Sequence, residues 1–169
     1  MPDICDLILE DHQRFRRRFA ELDELRAARA DPDVLDRAWV PVAELLEVHA
    51  AAEEALFYPR LLPRGDDAHD ETKDAITDHN DIRDAVRRAG GTSAGSDGWW
   101  AAVLDARAKN SDHMGEEERG AIPDFRQHAD GQLREDLGAR WVEFEARHAG
   151  ARDVDTSDKD PDRYIARHE

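Results

Sequence analysis

Two similar sequence strings, each with polar residues inside the apolar stripe of a predicted helix, constrain the fold of this sequence more than any other feature. Residues 49–59 read HAAAEEALFYP and residues 113–123 read HMGEEERGAIP, so both fit H-x-x-x-E-E-x-x-x-x-P. In each string the histidine and the first glutamate are four residues apart, which places them on one face of a helix. Because these positions continue an apolar stripe, we expect four polar side chains to point into the core: His49, Glu53, His113 and Glu117.

Two further histidines extend this repeat. Asp-His occurs at 11–12 and again at 78–79, and both histidines interrupt apolar stripes. The first histidines of the two copies are 67 residues apart and the second histidines 64 apart. The chain therefore reads as two similar helical hairpins, which face each other and build a pseudo-two-fold polar site.

Apolar residues with a 3.6-residue period predict four helices, at about 3–29, 33–62, 71–89 and 97–122. A fifth, weaker helix is predicted at about 131–148, and residues 150–169 read as a polar tail that could pack as an arm. The segments between the predicted helices are short, and no segment shows the alternation of apolar and polar residues that is typical of a strand. The predicted fold class is all-α: an up-down-up-down antiparallel four-helix bundle with an additional C-terminal helix, in one domain of residues 1–149.

Composition excludes several kinds of partner. The net charge of −16 opposes docking on nucleic acid or on an anionic membrane, whereas it tolerates bound cations. The single cysteine, Cys5, excludes an internal disulfide framework and a cysteine-based zinc site. With no visible signal peptide and no apolar run of about 20 residues, we expect a cytoplasmic protein without nucleic-acid or membrane partners.

The inward polar residues have the chemistry of a dinuclear metal site. Burying an ionised carboxylate costs several kcal/mol unless a partner compensates it, and a metal cation is the strongest such partner. If both glutamates bridge, each of two ions receives two imidazoles and two carboxylate oxygens. This mixed set suits iron, and manganese or zinc less distinctively. The six predicted ligands are His12, His49, Glu53, His79, His113 and Glu117.

These residues resemble the HHE cation-binding domain of the hemerythrin family, over residues 3–123. The resemblance implies an oxo- or hydroxo-bridged pair of iron ions, with the two histidines of each hairpin on one iron and both glutamates bridging. The sequence departs from the oxygen-carrying hemerythrins, whose third helix has two histidines four residues apart. Here Ala75 and Arg83 lie four residues either side of His79, and the last ligand is glutamate at four residues, not aspartate at five. One iron is thus expected to keep an open position, which disfavours reversible oxygen carriage.

We therefore expect a diiron oxidoreductase that acts on a small oxidant, with decomposition of hydrogen peroxide as the favoured reaction. The alternative is a module that binds or senses oxygen, nitric oxide or iron without turnover. A diiron oxygenase or oxidase with an organic substrate is a third hypothesis, which needs an apolar pocket beside the irons. A homodimer through the fifth helix is a further hypothesis.

Polar residues next to the predicted ligands are interpreted as peripheral. Glu54 and Glu118 lie about 100° round the helix from the ligands, so they are interpreted as groups behind the ligands or at the surface. Asp11 and Asp78 are interpreted as solvated salt-bridge partners, in preference to groups that orient a histidine. Tyr58 is interpreted as an amphipathic packing residue at a helix end, in preference to a hydrogen-bond donor or redox-active phenol at the site. The remaining histidines are left outside the site: His69, His128, His148 and His168.

Overall fold

The computed structural model describes residues 2–169, and these are helical without any strand. The helices in chain order are α1 (Ile4–Ala27), α2 (Pro32–Ala52), α3 (Tyr58–Leu61), α4 (Ala68–Gly90), α5 (Asp97–Arg119), α6 (Ala121–His128), α7 (Gly131–Arg147) and α8 (Pro161–His168). A π-helical turn, Glu53–Phe57, joins α2 to α3, and a 3-10 turn, Ala149–Ala151, follows α7. The predicted all-α bundle with an additional C-terminal helix is confirmed.

The four long helices, α1, α2, α4 and α5, are antiparallel to their neighbours. Between α1 and α5, His12 contacts Glu117 while Asp23 contacts Arg107, so the two helices run in opposite directions. By the same criterion, α1 and α2, α2 and α4, and α4 and α5 run in opposite directions. Short connections between helices favour this up-and-down arrangement.

Side-chain caps define where several helices begin. The cap oxygens accept hydrogen bonds from backbone N–H groups that have no partner within the helix. Replacing such a cap by alanine costs about 1 kcal/mol. The caps of α1, α5, α7 and α8 are Asp3, Ser96, Asp130 and Asp160.

Apolar residues form two buried clusters, one at each end of the bundle. One cluster contains Phe57, Phe125 and Trp141, and the other contains Phe15 and Trp99. The predicted inward-pointing polar residues lie between them, so both clusters exclude water from that layer. The polar layer therefore sits in a low-dielectric environment, where its charges need partners.

The helices become irregular just after each repeated glutamate, where the sequence predicts continuous helices over 33–62 and 97–122. In the first string the N–H of Tyr58 bonds the carbonyl of Glu53, five residues back. Pro59 causes this widening, because it has no N–H for the carbonyl four residues before it and its ring crowds that carbonyl. In the second string, α5 ends before Gly120 and a separate helix carries Pro123.

Helix α7 packs across α1 and holds the start of the chain. Leu137 and Trp141 are buried against this part of the core. Gly138 allows the close approach, because a Cβ there would lie 1.9 Å from the carbonyl oxygen of Pro2. A homodimer through this helix would have to use its outer face, and it stays a prediction.

Residues 150–169, predicted as a polar tail, contain helix α8 docked on α4. Tyr164 and Ile165 of α8 are 7% and 3% exposed. Asn80 of α4 donates to the Lys159 carbonyl at 2.7 Å and accepts from the Lys159 N–H at 2.9 Å. The sequence indicated this docking only weakly, because the contact depends mainly on two large apolar side chains and not on a periodic pattern.

Candidate metal centre

The structure brings the six sequence-predicted ligands together in the middle of the bundle, and each is at most 3% exposed. Each long helix contributes one histidine. Glu53 begins the π-helical turn after α2, and Glu117 lies in the last turn of α5. The histidines, in the order α1, α2, α4, α5, are His12, His49, His79 and His113.

The ligand atoms form two groups that share Glu53. His12, His49, Glu53 and Glu117 offer atoms that all lie within 4.8 Å of one another, and Glu53, His79 and His113 do the same. Glu53 Oε1 lies 3.0 Å from His49 Nε2, while its Oε2 lies 3.1 Å from His79 Nε2. One carboxylate thus spans the two hairpins.

Glu117 also reaches a histidine from each hairpin. Its Oε2 lies 3.1 Å from His12 Nε2 and 3.4 Å from His113 Nε2. Its other oxygen, Oε1, accepts a hydrogen bond from the Tyr58 hydroxyl at 2.5 Å. Each glutamate therefore contacts histidines of both hairpins.

A carboxylate lies behind each histidine, on the Nδ1 side of the ring. Because an ionised carboxylate only accepts hydrogen bonds, Nδ1 carries a proton, which leaves Nε2 of a neutral ring as the nitrogen that can bind a cation. This arrangement fixes the orientation of metal-binding histidines in many proteins. The Nδ1–oxygen pairs are His12–Glu118 (2.9 Å), His49–Asp11 (3.0 Å), His79–Glu54 (2.9 Å) and His113–Asp78 (3.5 Å).

The interpretation of Asp11 as a solvated salt-bridge partner is wrong. Asp11 is 2% exposed and pairs with His49 of the next helix, while Arg14 contacts its other oxygen. Asp78 is only partly exposed, and it likewise faces His113 of the neighbouring helix. A residue beside a ligand lies about 100° round its helix, and in this bundle that direction points to the adjacent helix. The signal in the sequence was the doubled Asp-His and Glu-Glu of the repeat.

Tyr58 is not an amphipathic helix-end residue, because it is fully buried in the site. Burial and the charges of Glu117 and Glu53 raise the pKa of the Tyr58 phenol well above its usual value. The hydroxyl therefore stays protonated and donates to Glu117. The π-helical turn that Pro59 causes brings Tyr58 to this position, and the repeat has Ile122 instead.

Several contacts in the polar layer fit a bound cation. His79 Nε2 and His113 Nε2 are 3.1 Å apart, and two lone pairs at this distance repel unless a proton or cation lies between them. His49 Nε2 and Glu53 Oε1 lie 3.0 Å apart, and neither buried atom has a further hydrogen-bond partner. Burial lowers the pKa of His49, but the charge of Glu53 and the hydrogen bond with Asp11 raise it more, to about 10. The site therefore attracts positive charge.

Neither residue four positions from His79 belongs to a ligand group. Arg83 is 1% exposed, and its Nη1 lies 2.9 Å from Glu54 Oε1. Its guanidinium thus compensates the buried carboxylate that holds His79. Ala75 is small and buried, and a cavity of about 340 Å³ lies beside it.

This cavity connects the site with the surface between α4 and α5. Its lining includes Tyr58, His113 and Glu117 at the inner end and Glu71 nearer to solvent. A larger groove, about 650 Å³, lies between α7 and the C-terminal segment. That groove reaches Glu54 but is lined by none of the six predicted ligands. Of these two cavities, the smaller one is therefore the one that reaches predicted ligands.

Replacement of Glu71 should change the pH dependence of stability. Burial and the charges of Asp124, Asp67 and Glu117 raise the pKa of Glu71 from 4.5 to about 7. The folded protein then binds this proton more tightly than the unfolded chain, so stability falls as the pH rises from about 4.5 to about 7. Glu71→Gln should stabilise the metal-free protein at pH 8, because it removes a carboxylate whose ionisation there is unfavourable in the folded state. Since solvent screens this partly exposed group, the gain should be only about 1 kcal/mol.

Thermal unfolding of the metal-free protein at pH 5 and pH 8 measures this effect. The gain from Glu71→Gln should shrink towards pH 5, where the folded parent has largely taken up the proton. Asp74→Asn removes an exposed carboxylate from the same helix and should change stability by less than about 0.5 kcal/mol at either pH. An equal gain from Glu71→Gln at both pH values would contradict the assignment.

The other four histidines lie outside the buried groups. His128 forms a surface group with Asp66 and Asp124. Asp124 already accepts hydrogen bonds from the backbone N–H groups of Asp66 and Asp67, so it holds the loop before α4. His69, His148 and His168 belong to none of the potential metal-binding groups formed by residues 2–169.

A four-helix bundle around a buried cluster of four histidines and two glutamates defines a class of metal-binding helical proteins. The hemerythrin HHE cation-binding domain matches residues 3–125. The chain belongs to this family, which confirms the family predicted from the sequence, and it is a metal-binding module of a kind that typically binds iron. Searches of curated proteins and of solved structures give no significant match. No helix within residues 2–169 combines the length and the apolar character needed to cross a membrane.

Proposed function

We propose that the protein is a cytoplasmic non-haem diiron protein that decomposes hydrogen peroxide. The observation that carries this proposal is the cavity beside Ala75, which leads to His113 and Glu117. The oxygen-carrying hemerythrins have a further histidine four residues from the one on this helix, where the present chain has Ala75 on one side of His79 and Arg83 on the other, and the alanine leaves room for a small oxidant.

The two ligand groups suggest how the chain would hold the irons. One iron would take the histidines of the first hairpin, and the other would take those of the second. Both glutamates would bridge, because each reaches a histidine from both hairpins. The proposed ligands are His12 and His49 on one iron, His79 and His113 on the other, and Glu53 and Glu117 between them.

The surrounding residues would keep this site in order. The carboxylates behind the histidines hold the ring orientations, and the two apolar clusters exclude water from the layer. Tyr58 keeps its proton and holds Glu117 Oε1 in place. A bound iron pair would supply the redox chemistry, in which one peroxide is oxidised to dioxygen and a second is reduced to two waters.

The direct test of this proposal is peroxide turnover. Iron-loaded protein should evolve dioxygen from hydrogen peroxide faster than the metal-free protein and faster than the same concentration of free iron. Elemental analysis and the absorption spectrum of the loaded protein establish its iron content beforehand. Loaded protein that evolves dioxygen no faster than free iron would refute the peroxide reaction.

Replacement of the tyrosine should slow turnover without removing the metal. Tyr58→Phe leaves Glu117 Oε1 buried without its donor, so we expect the turnover number to fall about tenfold, as is common for groups that hold a ligand. Iron content should stay at the parent value. Tyr164→Phe is the control, because its hydroxyl bonds a backbone carbonyl and does not contact a proposed ligand side chain. Equal rates in the parent and Tyr58→Phe would show that this hydrogen bond does not serve the reaction.

A sensing or binding module without turnover is the second candidate function, and the docked C-terminal segment favours it. Lys159 Nζ lies 3.0 Å from Glu54 Oε2, and the Tyr164 hydroxyl donates to the Glu54 carbonyl at 2.6 Å. Glu54 in turn holds His79, so a change at the metal would reach this segment. A stoichiometric, reversible spectral change with oxygen or nitric oxide, without peroxide turnover, would support this candidate instead.

A further inference from the structure

The cavity that leads to the proposed iron centre has a strongly acidic lining. Five carboxylates and one guanidinium, that of Arg119, are among its lining side chains. A negative wall raises the energy of an approaching anion and leaves an uncharged molecule almost unaffected. The carboxylates of the lining are Asp70, Glu71, Asp74, Glu116 and Glu117.

Glu71 is the innermost of these carboxylates apart from Glu117. Asp70, Asp74 and Glu116 are exposed, so water and salt screen their charges. Glu71 is only partly exposed, and its Oε2 is buried without a hydrogen-bond partner. Its Oε1 packs against Gly120, where a Cβ would lie 2.6 Å away. The charge of Glu71 is therefore screened less than the charges of the three exposed carboxylates, and it faces the path of a ligand.

We infer that Glu71 makes the metal centre selective for small uncharged ligands, such as hydrogen peroxide, dioxygen and nitric oxide, over small anions. This inference rests on the proposed iron centre. Ferric iron binds small anions well, so a site without such a filter would hold them in place of the oxidant. The carboxylate acts by charge alone, because it does not narrow the path for neutral molecules of the same size.

The test compares azide, a small anion, with nitric oxide, a smaller molecule without charge. Association rates are measured by rapid-mixing absorption at pH 8, with each ligand compared between parent and variant in one oxidation state. Glu71→Gln should speed azide association about fivefold, the size expected for one partly screened charge near the path. The rate for nitric oxide should change less than about twofold, because that ligand carries no charge.

Glu21→Gln is the matched control, since it removes the same charge from an exposed position. Glu21 pairs with Arg18 on the surface of α1 and does not line the cavity. Its azide rate should stay within about twofold of the parent, because surface charges farther than a Debye length are screened. An equal effect of Glu21→Gln and Glu71→Gln would overturn the inference, because net charge would then account for it.

Ala75→Val tests the route itself. The added methyl groups narrow the cavity, so both azide and nitric oxide should bind more slowly. Unchanged rates for both ligands would overturn the inference, because ligands would then enter elsewhere. Faster binding of both ligands in Glu71→Gln would also overturn it, since the effect would be steric.

The outcomes separate this inference from the proposed function. A parent protein that takes up no iron overturns the iron centre and this inference together. An iron-loaded parent whose azide rate equals that of Glu71→Gln overturns the charge filter alone. Charge-selective binding without peroxide turnover would refute the peroxide reaction and leave the filter supported.

Discussion

Glu53→Ala is expected to abolish binding of both irons. Glu53 is the residue that the two ligand groups share, with one oxygen 3.0 Å from His49 Nε2 and the other 3.1 Å from His79 Nε2. Loss of a group behind a ligand typically costs about 10–100-fold in metal affinity, and a shared ligand should cost more than that. Elemental analysis of the purified variant, with the absorption spectrum, measures the result.

A graded comparison makes this prediction specific. His49→Ala should remove one iron and leave the other, because His49 belongs to a single group. Glu47→Gln changes another buried carboxylate of α2, one that faces Arg83 and belongs to neither group, so it should keep the parent iron content. Circular dichroism checks that each variant is helical. Parent-like iron content in Glu53→Ala would rule out a shared glutamate ligand.

Trp141→Ala should destabilise the metal-free protein by about 3–5 kcal/mol, the usual cost of removing a large buried aromatic side chain. Trp141 is 0% exposed, and its ring lies 5.6 Å from the ring of His49. Trp141 therefore connects α7 to the apolar core and to the polar layer that contains the predicted ligands. Denaturant unfolding of the metal-free protein measures the loss without a contribution from metal binding.

The next residue of α7 supplies the control. Val142 is 46% exposed, so Val142→Ala should change the free energy of unfolding by less than about 1 kcal/mol. Trp141→Ala should also weaken iron binding, because His49 loses a wall that holds its ring. A variant as stable as Val142→Ala would show that α7 is dispensable for the bundle.

The bundle and the position of its polar layer could be predicted from the sequence because both depend on helical period. Histidine and glutamate at four-residue spacing must share a helix face, and apolar residues on the same stripe must turn that face inward. The repeat of Asp-His in the two hairpins predicted that His12 and His79 lie in the same layer. The structure buries these residues and brings them together in one layer.

Other elements depended on packing that periodicity does not specify. The docking of α8 rests on Tyr164, Ile165 and a bidentate contact between Asn80 and Lys159, none of which repeats along the chain. The break at Gly120 and the π-helical turn before Pro59 interrupt helices that the apolar period predicts to be continuous. The π-helical turn brings Tyr58 into the site, which a regular helix would not predict.

The sequence by itself determined the helical class, the two-fold repeat and the six inward-facing polar residues, because local spacing governs each of them. The tertiary structure decided which carboxylate holds each histidine, since Asp11 and Glu54 act on rings of neighbouring helices. It also decided that the gap beside Ala75 opens to solvent past Glu71. Such contacts depend on which helices are neighbours and how far apart they lie, and no spacing along one helix encodes that.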